Sequence, residues 1–205
     1  MHRLGLVAGV SGLFVVGVLP AAANPFSAAF VETFREACVP ERLSYEGSVN
    51  HAKAIGWTAA EPASHPELGK VMDLSAKGLE EAKEEGIEIA FRQNTFAKTV
   101  DGRQLHLVVS FAESEHIDEI GCYLYDFSAA APVDAATVGA MLGADAAQSM
   151  ETAEIVSHVW GPPPSMPRTL DTYLTYIPAG SPHVAQGGFD GVVLKFTTSA
   201  PDGEG

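Results

Sequence analysis

The amino-acid sequence predicts an α+β fold in which N-terminal helices pack on one face of a mostly antiparallel sheet, with one further short helix between strands. Three observations carry this prediction. Apolar residues recur every three or four positions as far as Ala82, which is helical spacing, and from Ile87 they alternate with polar residues, which is strand spacing. The dipeptide Asp101-Gly102 then separates two alternating segments and favours the tight turn of an antiparallel hairpin.

The first 23 residues have the pattern of a signal peptide. An apolar stretch of 16 residues at 4–19 is followed by Pro20 and by Ala21-Ala22-Ala23, the small residues that a signal peptidase accepts. Because about 20 residues are needed to cross a bilayer, we expect cleavage after Ala23 rather than a retained membrane anchor. The predicted mature protein is periplasmic or secreted, with a single domain at residues 24–199 and a disordered tail at 200–205.

The chain is strongly acidic, with 12 Lys and Arg against 26 Asp and Glu and a formal net charge of −14. An acidic surface repels phosphate backbones and anionic lipids, so we expect no nucleic-acid partner and no membrane binding after cleavage. The expected partner is a small molecule or a protein, and the sequence predicts no cofactor.

The first predicted helix carries one of the two cysteines. Phe30, Phe34 and Cys38 recur every four residues and therefore share one helix face. Cys122 lies in a predicted strand at residues 120–127, on the side that faces the helices. Because an exported chain enters an oxidising compartment, we predict a structural disulfide between Cys38 and Cys122, with two free buried thiols as the alternative.

Two more helices are predicted before the sheet and one within it. The second helix covers residues 48–55, and the third begins at the capping-box pattern Ser64-x-x-Glu67. The short helix within the sheet begins after Asp134, a favourable N-cap, and ends at Gly143.

The strands are placed by their turns and their alternation. A two-residue loop at Asp101-Gly102 puts Val100 opposite Arg103 and Phe96 opposite Leu107. This hairpin joins residues 95–100 to 103–111, and later strands are predicted at 120–127, 152–160, 169–177 and 191–198.

Strand alternation also collects aromatic and histidine side chains on the face of the sheet that points away from the helices. The predicted ligand or partner face consists of His106, Tyr123, Tyr125, Phe127, His158, Trp160 and Tyr173. A face of this kind is typical of a ligand platform, a protein-docking surface or a homodimer interface. In the alternative, the helix at 134–142 and the loop at 178–191 cover it.

The sequence lacks G-x-S-x-G, H-E-x-x-H, a P-loop and G-x-G-x-x-G after a strand. We therefore predict a non-enzymatic binding or protein-interaction module that uses the aromatic face, and we assign no catalytic and no metal-ligating residue. The alternative is a hydrolase or metal-assisted enzyme that uses His106 or His158 with carboxylates from loops. His116, in the acidic run at 113–119, is interpreted as part of a solvated turn.

Two short motifs, Phe30-x3-Phe34-x3-Cys38 and Ala54-Ile55-Gly56-Trp57, resemble a pattern in small exported proteobacterial proteins of unassigned function. The similarity covers about the first third of the mature chain. It implies export and a structural cysteine on a helix, and it implies no catalytic residue.

Overall fold

A computed structural model describes residues 25–115 and 118–200, and it confirms the α+β class. The predicted signal peptide, His116 and the tail beyond Ala200 lie outside the described residues. The helices are α1 (Pro25–Cys38), α2 (Tyr45–Ala54), α3 (Pro66–Glu84), α4 (Ala135–Leu142) and the short α5 (Val184–Gly187). The strands are β1 (Thr58–Ala59), β2 (Ala90–Val100), β3 (Arg103–Glu113), β4 (Asp118–Asp126), β5 (Gln148–Glu151), β6 (Val156–Trp160), β7 (Thr169–Ile177) and β8 (Gly191–Ser199).

All eight strands belong to one antiparallel sheet with the order β1-β2-β3-β4-β8-β7-β6-β5. The predicted hairpin is confirmed in its register, because Val100 pairs with Arg103 and Phe96 with Leu107. Asp101 and Gly102 both have positive φ, 48° and 78°, as a tight two-residue turn of this hand requires.

The first face of the sheet is covered by α1, α2 and α4. Phe30 and Phe34 of α1 are fully buried, and the Phe34 ring meets the Phe196 ring of β8 edge-on at 5.3 Å. The predicted disulfide is confirmed: Cys38 at the end of α1 is bonded to Cys122 of β4, with their Cα atoms 5.8 Å apart. The bond links the N-terminal helix to the centre of the sheet.

The second face is crossed by α3. Leu68 and Met72 of this helix pack against Val108 of β3 and Tyr125 of β4. Hydrophobic side chains are therefore buried on both faces of the sheet. Helices α1, α2 and α4 lie on the first face, whereas α3, which was predicted to share the face of the other N-terminal helices, lies on the second.

Helix α3 starts one residue later than its capping-box pattern predicts. The N-cap is His65 rather than Ser64, and its side chain makes no capping hydrogen bond within the described helix. The physical reason is Pro66, which suits the first helical position and holds the preceding residue extended, at φ −139° and ψ 130°.

Other boundaries also differ from prediction. Strand β2 begins at Ala90 instead of position 95, and in place of the single strand predicted at 152–160 the structure has β5 and β6. Helix α2 begins at Tyr45 instead of position 48, because the side chain of Ser44 accepts a hydrogen bond from the Gly47 N–H at 3.1 Å and caps the helix there. Ala200, predicted as the first residue of a disordered tail, is buried, and its N–H donates to the Asp118 carbonyl at 2.8 Å. Among the described helices, none is long and apolar enough to cross a membrane.

Candidate functional site

The seven residues of the predicted aromatic face do not form one open surface. Tyr123 and Tyr173 are half-buried, and the others are buried. The buried residues are His106, Tyr125, Phe127, His158 and Trp160.

His158 and Trp160 lie on the opposite face from the one predicted. His158 pairs with Leu174, Leu174 pairs with Leu194, and both leucines belong to the core beneath α1 and α4. The prediction was wrong because it counted alternation from Ile155, which packs with the second-face cluster. Since both faces are apolar, alternation alone could not set the register, and an error of one residue reverses every side chain.

The part of the aromatic face beneath α3 is core. Tyr125 stacks on Phe127 with ring centroids 5.1 Å apart, and Phe189 meets Tyr125 edge-on at 5.4 Å. Leu68 and Met72 close this cluster from above. Burial also raises the pKa of the Tyr125 hydroxyl, so that the ring stays neutral.

Beyond α3, the same face carries a half-buried row of Tyr123, Lys195 and Tyr173 on neighbouring strands. The Lys195 ammonium lies 5.8 Å from the centroid of the Tyr123 ring and 5.1 Å from that of Tyr173. These contacts are cation–π pairs, and burial lowers the pKa of Lys195. Because the Lys195 ammonium contacts both tyrosine rings, the three side chains of this row are already paired with one another.

A cleft of about 550 Å³ opens on the other side of the sheet, between α4 and the β5–β6 hairpin. Gly139 and Ala140 of α4 form one wall, and residues 143–146 form the turn behind it. Ser149, His158 and Trp160 form the opposite wall. Two residues that the sequence singled out are therefore brought together here, although on the other face.

His158 is held by its neighbours on β5. Its Nδ1 atom lies 2.9 Å from the Oγ of Ser149, which is its cross-strand partner. Its Nε2 atom lies 3.7 Å from Oε1 of Glu151, beyond hydrogen-bond distance. When Nδ1 accepts from the serine hydroxyl, the ring carries its proton on Nε2, on the side of the carboxylate.

Trp160 provides the most unusual polar group of the cleft. The side chain is 1% exposed, and its indole N–H has no hydrogen-bond partner among the described residues. A Cβ atom added to Gly139 would lie 3.7 Å from this nitrogen, an ordinary contact, but 2.9 Å from the carbonyl oxygen of Ala144, so it is the close turn after α4 that requires glycine at this position. A buried donor without an acceptor costs about 1–3 kcal/mol, and a ligand acceptor is one way to recover that free energy.

The charges around the cleft are negative. Asp145 is the only Asp or Glu among the described residues that line it, none of those residues is Lys or Arg, and Glu151 stands beside His158. With the net charge of −14, these carboxylates disfavour an anionic ligand and favour a neutral or cationic one.

Sequence reasoning missed Ser149, Glu151 and Asp145. For Ser149 and Glu151 the reason is that β5 is exposed at every position and shows no hydrophobic alternation, and Asp145 lies in the connection between α4 and β5. The signal available in the sequence is Thr152, a residue type that forms turns through its hydroxyl, and in the structure this hydroxyl accepts hydrogen bonds from the N–H groups of Glu154 and Ile155.

His106 has no carboxylate within hydrogen-bond distance in the described part of the chain, and both of its ring nitrogens are unpartnered there. The enzyme hypothesis requires a carboxylate within hydrogen-bond distance of His106, and the described residues do not supply one. Across residues 25–115 and 118–200, no group of three or more His, Cys, Asp or Glu side chains is arranged to hold a metal ion.

Comparison of the chain with models of protein families, with curated proteins and with solved structures found no match.

Proposed function

We propose that this protein is an exported, non-enzymatic binding module and that the cleft between α4 and the β5–β6 hairpin is its ligand site. The observation that carries the proposal is the unpartnered indole N–H of Trp160, buried at the wall of a 550 Å³ cleft beside His158. Ligand sites typically combine a concave, largely apolar surface with a few such polar groups.

The chemistry of the walls indicates the class of ligand. The Trp160 N–H requires an acceptor such as a hydroxyl or carbonyl oxygen, whereas Asp145 and Glu151 disfavour an anion. The small side chains of α4 leave room for a flat molecule to approach the helix. A small neutral or cationic molecule with a hydrogen-bond acceptor fits these conditions.

A fragment library sorted by charge tests this proposal. Binding is followed by the ¹⁵N resonance of the Trp160 indole in the full mature chain, and we expect hits among neutral and cationic fragments but few among anions. Ala140→Leu fills the cleft from an exposed position and abolishes these hits. Ala76→Leu, at an exposed position of α3, is the matched control and leaves them unchanged. Hits that map outside the cleft contradict the proposal.

Export completes the proposal, with cleavage after Ala23 and a periplasmic or secreted mature protein. The Cys38–Cys122 disulfide supports this compartment, since such bonds persist where the environment is oxidising. Mass spectrometry of protein recovered from a bacterial periplasm or medium tests it. We expect a mature chain that begins at Asn24 and has lost two thiol protons.

A second candidate function is hydrolysis at the same cleft, and the Ser149–His158–Glu151 arrangement is the observation that favours it. In this scheme His158 takes the proton of the Ser149 hydroxyl, as a general base does for a serine nucleophile. Labelling with a fluorophosphonate probe distinguishes the two candidates. Hydrolysis requires a label on Ser149 that Ser149→Ala removes and Ser157→Ala does not, whereas a binding module remains unlabelled.

A further inference from the structure

Two histidines meet where α3 begins. The ring of His65, the N-cap residue, lies 4.8 Å from the ring of His106 on β3. His65 also stacks on Phe127 at 4.8 Å with an interplanar angle of 21°, and His106 lies 5.2 Å from the same phenyl ring. The start of the helix is therefore held to the sheet by a cluster of three rings, in which His65 stacks on Phe127 and His106 contacts both rings at a tilt.

The surroundings of His106 favour the neutral form of its ring. Its side chain is 1% exposed, and neither ring nitrogen has a hydrogen-bond partner within the described residues. Burial lowers its pKa to about 4, and the neighbouring His65 acts in the same direction. Asp126 of β4 acts in the opposite direction. The carboxylate of Asp126 already accepts hydrogen bonds from Arg103 and Ser128, so it leaves His106 without a partner of its own.

The first turn of α3 has two other attachments, one polar and one apolar. The His65 side chain does not cap the described helix, and its Nδ1 atom instead lies 3.1 Å from Oε2 of Glu67. Leu68 and Met72 supply the apolar anchor. Protonation of the buried ring thus acts beside the first turn of α3, at the point where the His65 ring contacts the sheet.

We propose that the His65–His106 pair is an acid-sensitive latch that releases the first turns of α3 from the sheet. Release gives His106 access to water and exposes the rings of Tyr125, Phe127 and Phe189, which pack in one cluster with Leu68 and Met72 of α3 in the closed state. The device goes beyond ligand binding, because the cleft lies on the opposite face.

The sign and size of the effect follow from linkage. The pKa of His106 is lowered from 6.5 to about 4 in the closed state, so closure is fully favoured above pH 6.5 and is lost as the pH falls towards 4. The open-to-closed ratio rises up to tenfold per pH unit in this window, or about 300-fold in total.

Hydrogen exchange of the mature, disulfide-bonded protein at pH 7 and pH 4.5 tests the latch. After correction for intrinsic exchange, we expect protection of the α3 amides to fall at least tenfold at pH 4.5, with the β3 amides unchanged. His106→Phe keeps a buried ring and removes the titration, so its α3 protection stays constant. His106→Asn is the alternative if that variant does not fold, and His51→Gln on α2 is the matched control that retains the pH response.

Several results overturn the latch. In hydrogen exchange these are constant protection of α3 in the unmodified protein, a pH response that survives in the His106 variant, or equal loss of protection in β3, which means global unfolding. A rise in melting temperature with Zn²⁺ that requires His106 overturns it as well, because the pair then holds a metal ion.

Discussion

The Oγ of Ser149 lies 2.9 Å from Nδ1 of His158 on the neighbouring strand, and this contact fixes the orientation of the imidazole in the cleft. His158 is buried whereas Ser149 is exposed, so the strand at the edge of the sheet supplies the partner for a ring inside it. The interior strand and the edge strand thereby form one wall of the ligand site.

Removal of the serine hydroxyl is expected to weaken both the fold and the site. Ser149→Ala leaves the buried Nδ1 of His158 without a partner, so we expect a loss of about 1 kcal/mol in the free energy of unfolding. Urea denaturation measures it. Ser157→Ala, on the other face of the hairpin, is the matched control, and an equal effect of both variants contradicts the role of the contact.

Breaking the disulfide is expected to cost more. The bond joins residues 84 positions apart. In the chain-entropy model, closing a loop of this length contributes about 4–5 kcal/mol. We therefore expect a double substitution of Cys38 and Cys122 by Ala to lower the urea midpoint strongly, and reduction of the unmodified protein to lower it equally. An unchanged midpoint would show that the bond adds no stability.

The losses of stability caused by substitutions of Arg103 and Asp126 are expected to depend on each other. Asp126 is fully buried and its Oδ2 lies 2.5 Å from Nη1 of Arg103, whose guanidinium lies over the Phe26 ring at 3.9 Å. Arg103→Met leaves a buried carboxylate without its cation, and we expect a loss of about 3 kcal/mol. Addition of Asp126→Asn removes the charge and recovers part of this loss. Additive losses in the double-mutant cycle would contradict the coupling.

The loss of stability caused by a substitution at Gly121 of β4 is expected to depend on Tyr123. A Cβ atom at position 121 would lie 2.5 Å from Cε2 of Tyr123, because the tyrosine ring lies back over the glycine. Gly121→Ala should therefore cost about 1–3 kcal/mol by overpacking. The Oγ of Ser110 would lie 2.6 Å from the same Cβ atom, so Tyr123→Ala in the same chain should recover only the part of the loss that comes from the tyrosine ring. If the alanine is tolerated beside Tyr123, the ring does not occupy that space.

Local rules predicted much of the fold. The β2–β3 register, the N-cap of α4 at Asp134 and the position of Cys122 each follow from a turn, a cap or an alternation within a few residues. What the sequence could not predict is long-range coverage. Which face α3 crosses depends on packing between distant segments. Because the strands are apolar on both sides, their alternation does not indicate which helix covers each face.

The same limit explains the site. His158 and Trp160 were identified as residues of interest, but their face depended on a register that alternation did not determine. The wall opposite them is made of small residues on α4, which carry no chemical signature in a sequence. The site is formed only when folding brings α4 next to the β5–β6 hairpin.

The affinity of the tightest fragment hit, compared between Trp160→Phe and Trp57→Phe, tests the proposed ligand site most directly. Both indole N–H groups are buried and unpartnered within the described chain, but only Trp160 lines the cleft. Each substitution keeps an aromatic ring, removes one unpaired donor and leaves a small cavity in the core, so we expect similar losses of stability in the two variants. By isothermal titration calorimetry, we predict binding about five- to tenfold weaker in Trp160→Phe and unchanged in Trp57→Phe. Equal affinity in the two variants would contradict the assignment of the cleft as the binding site.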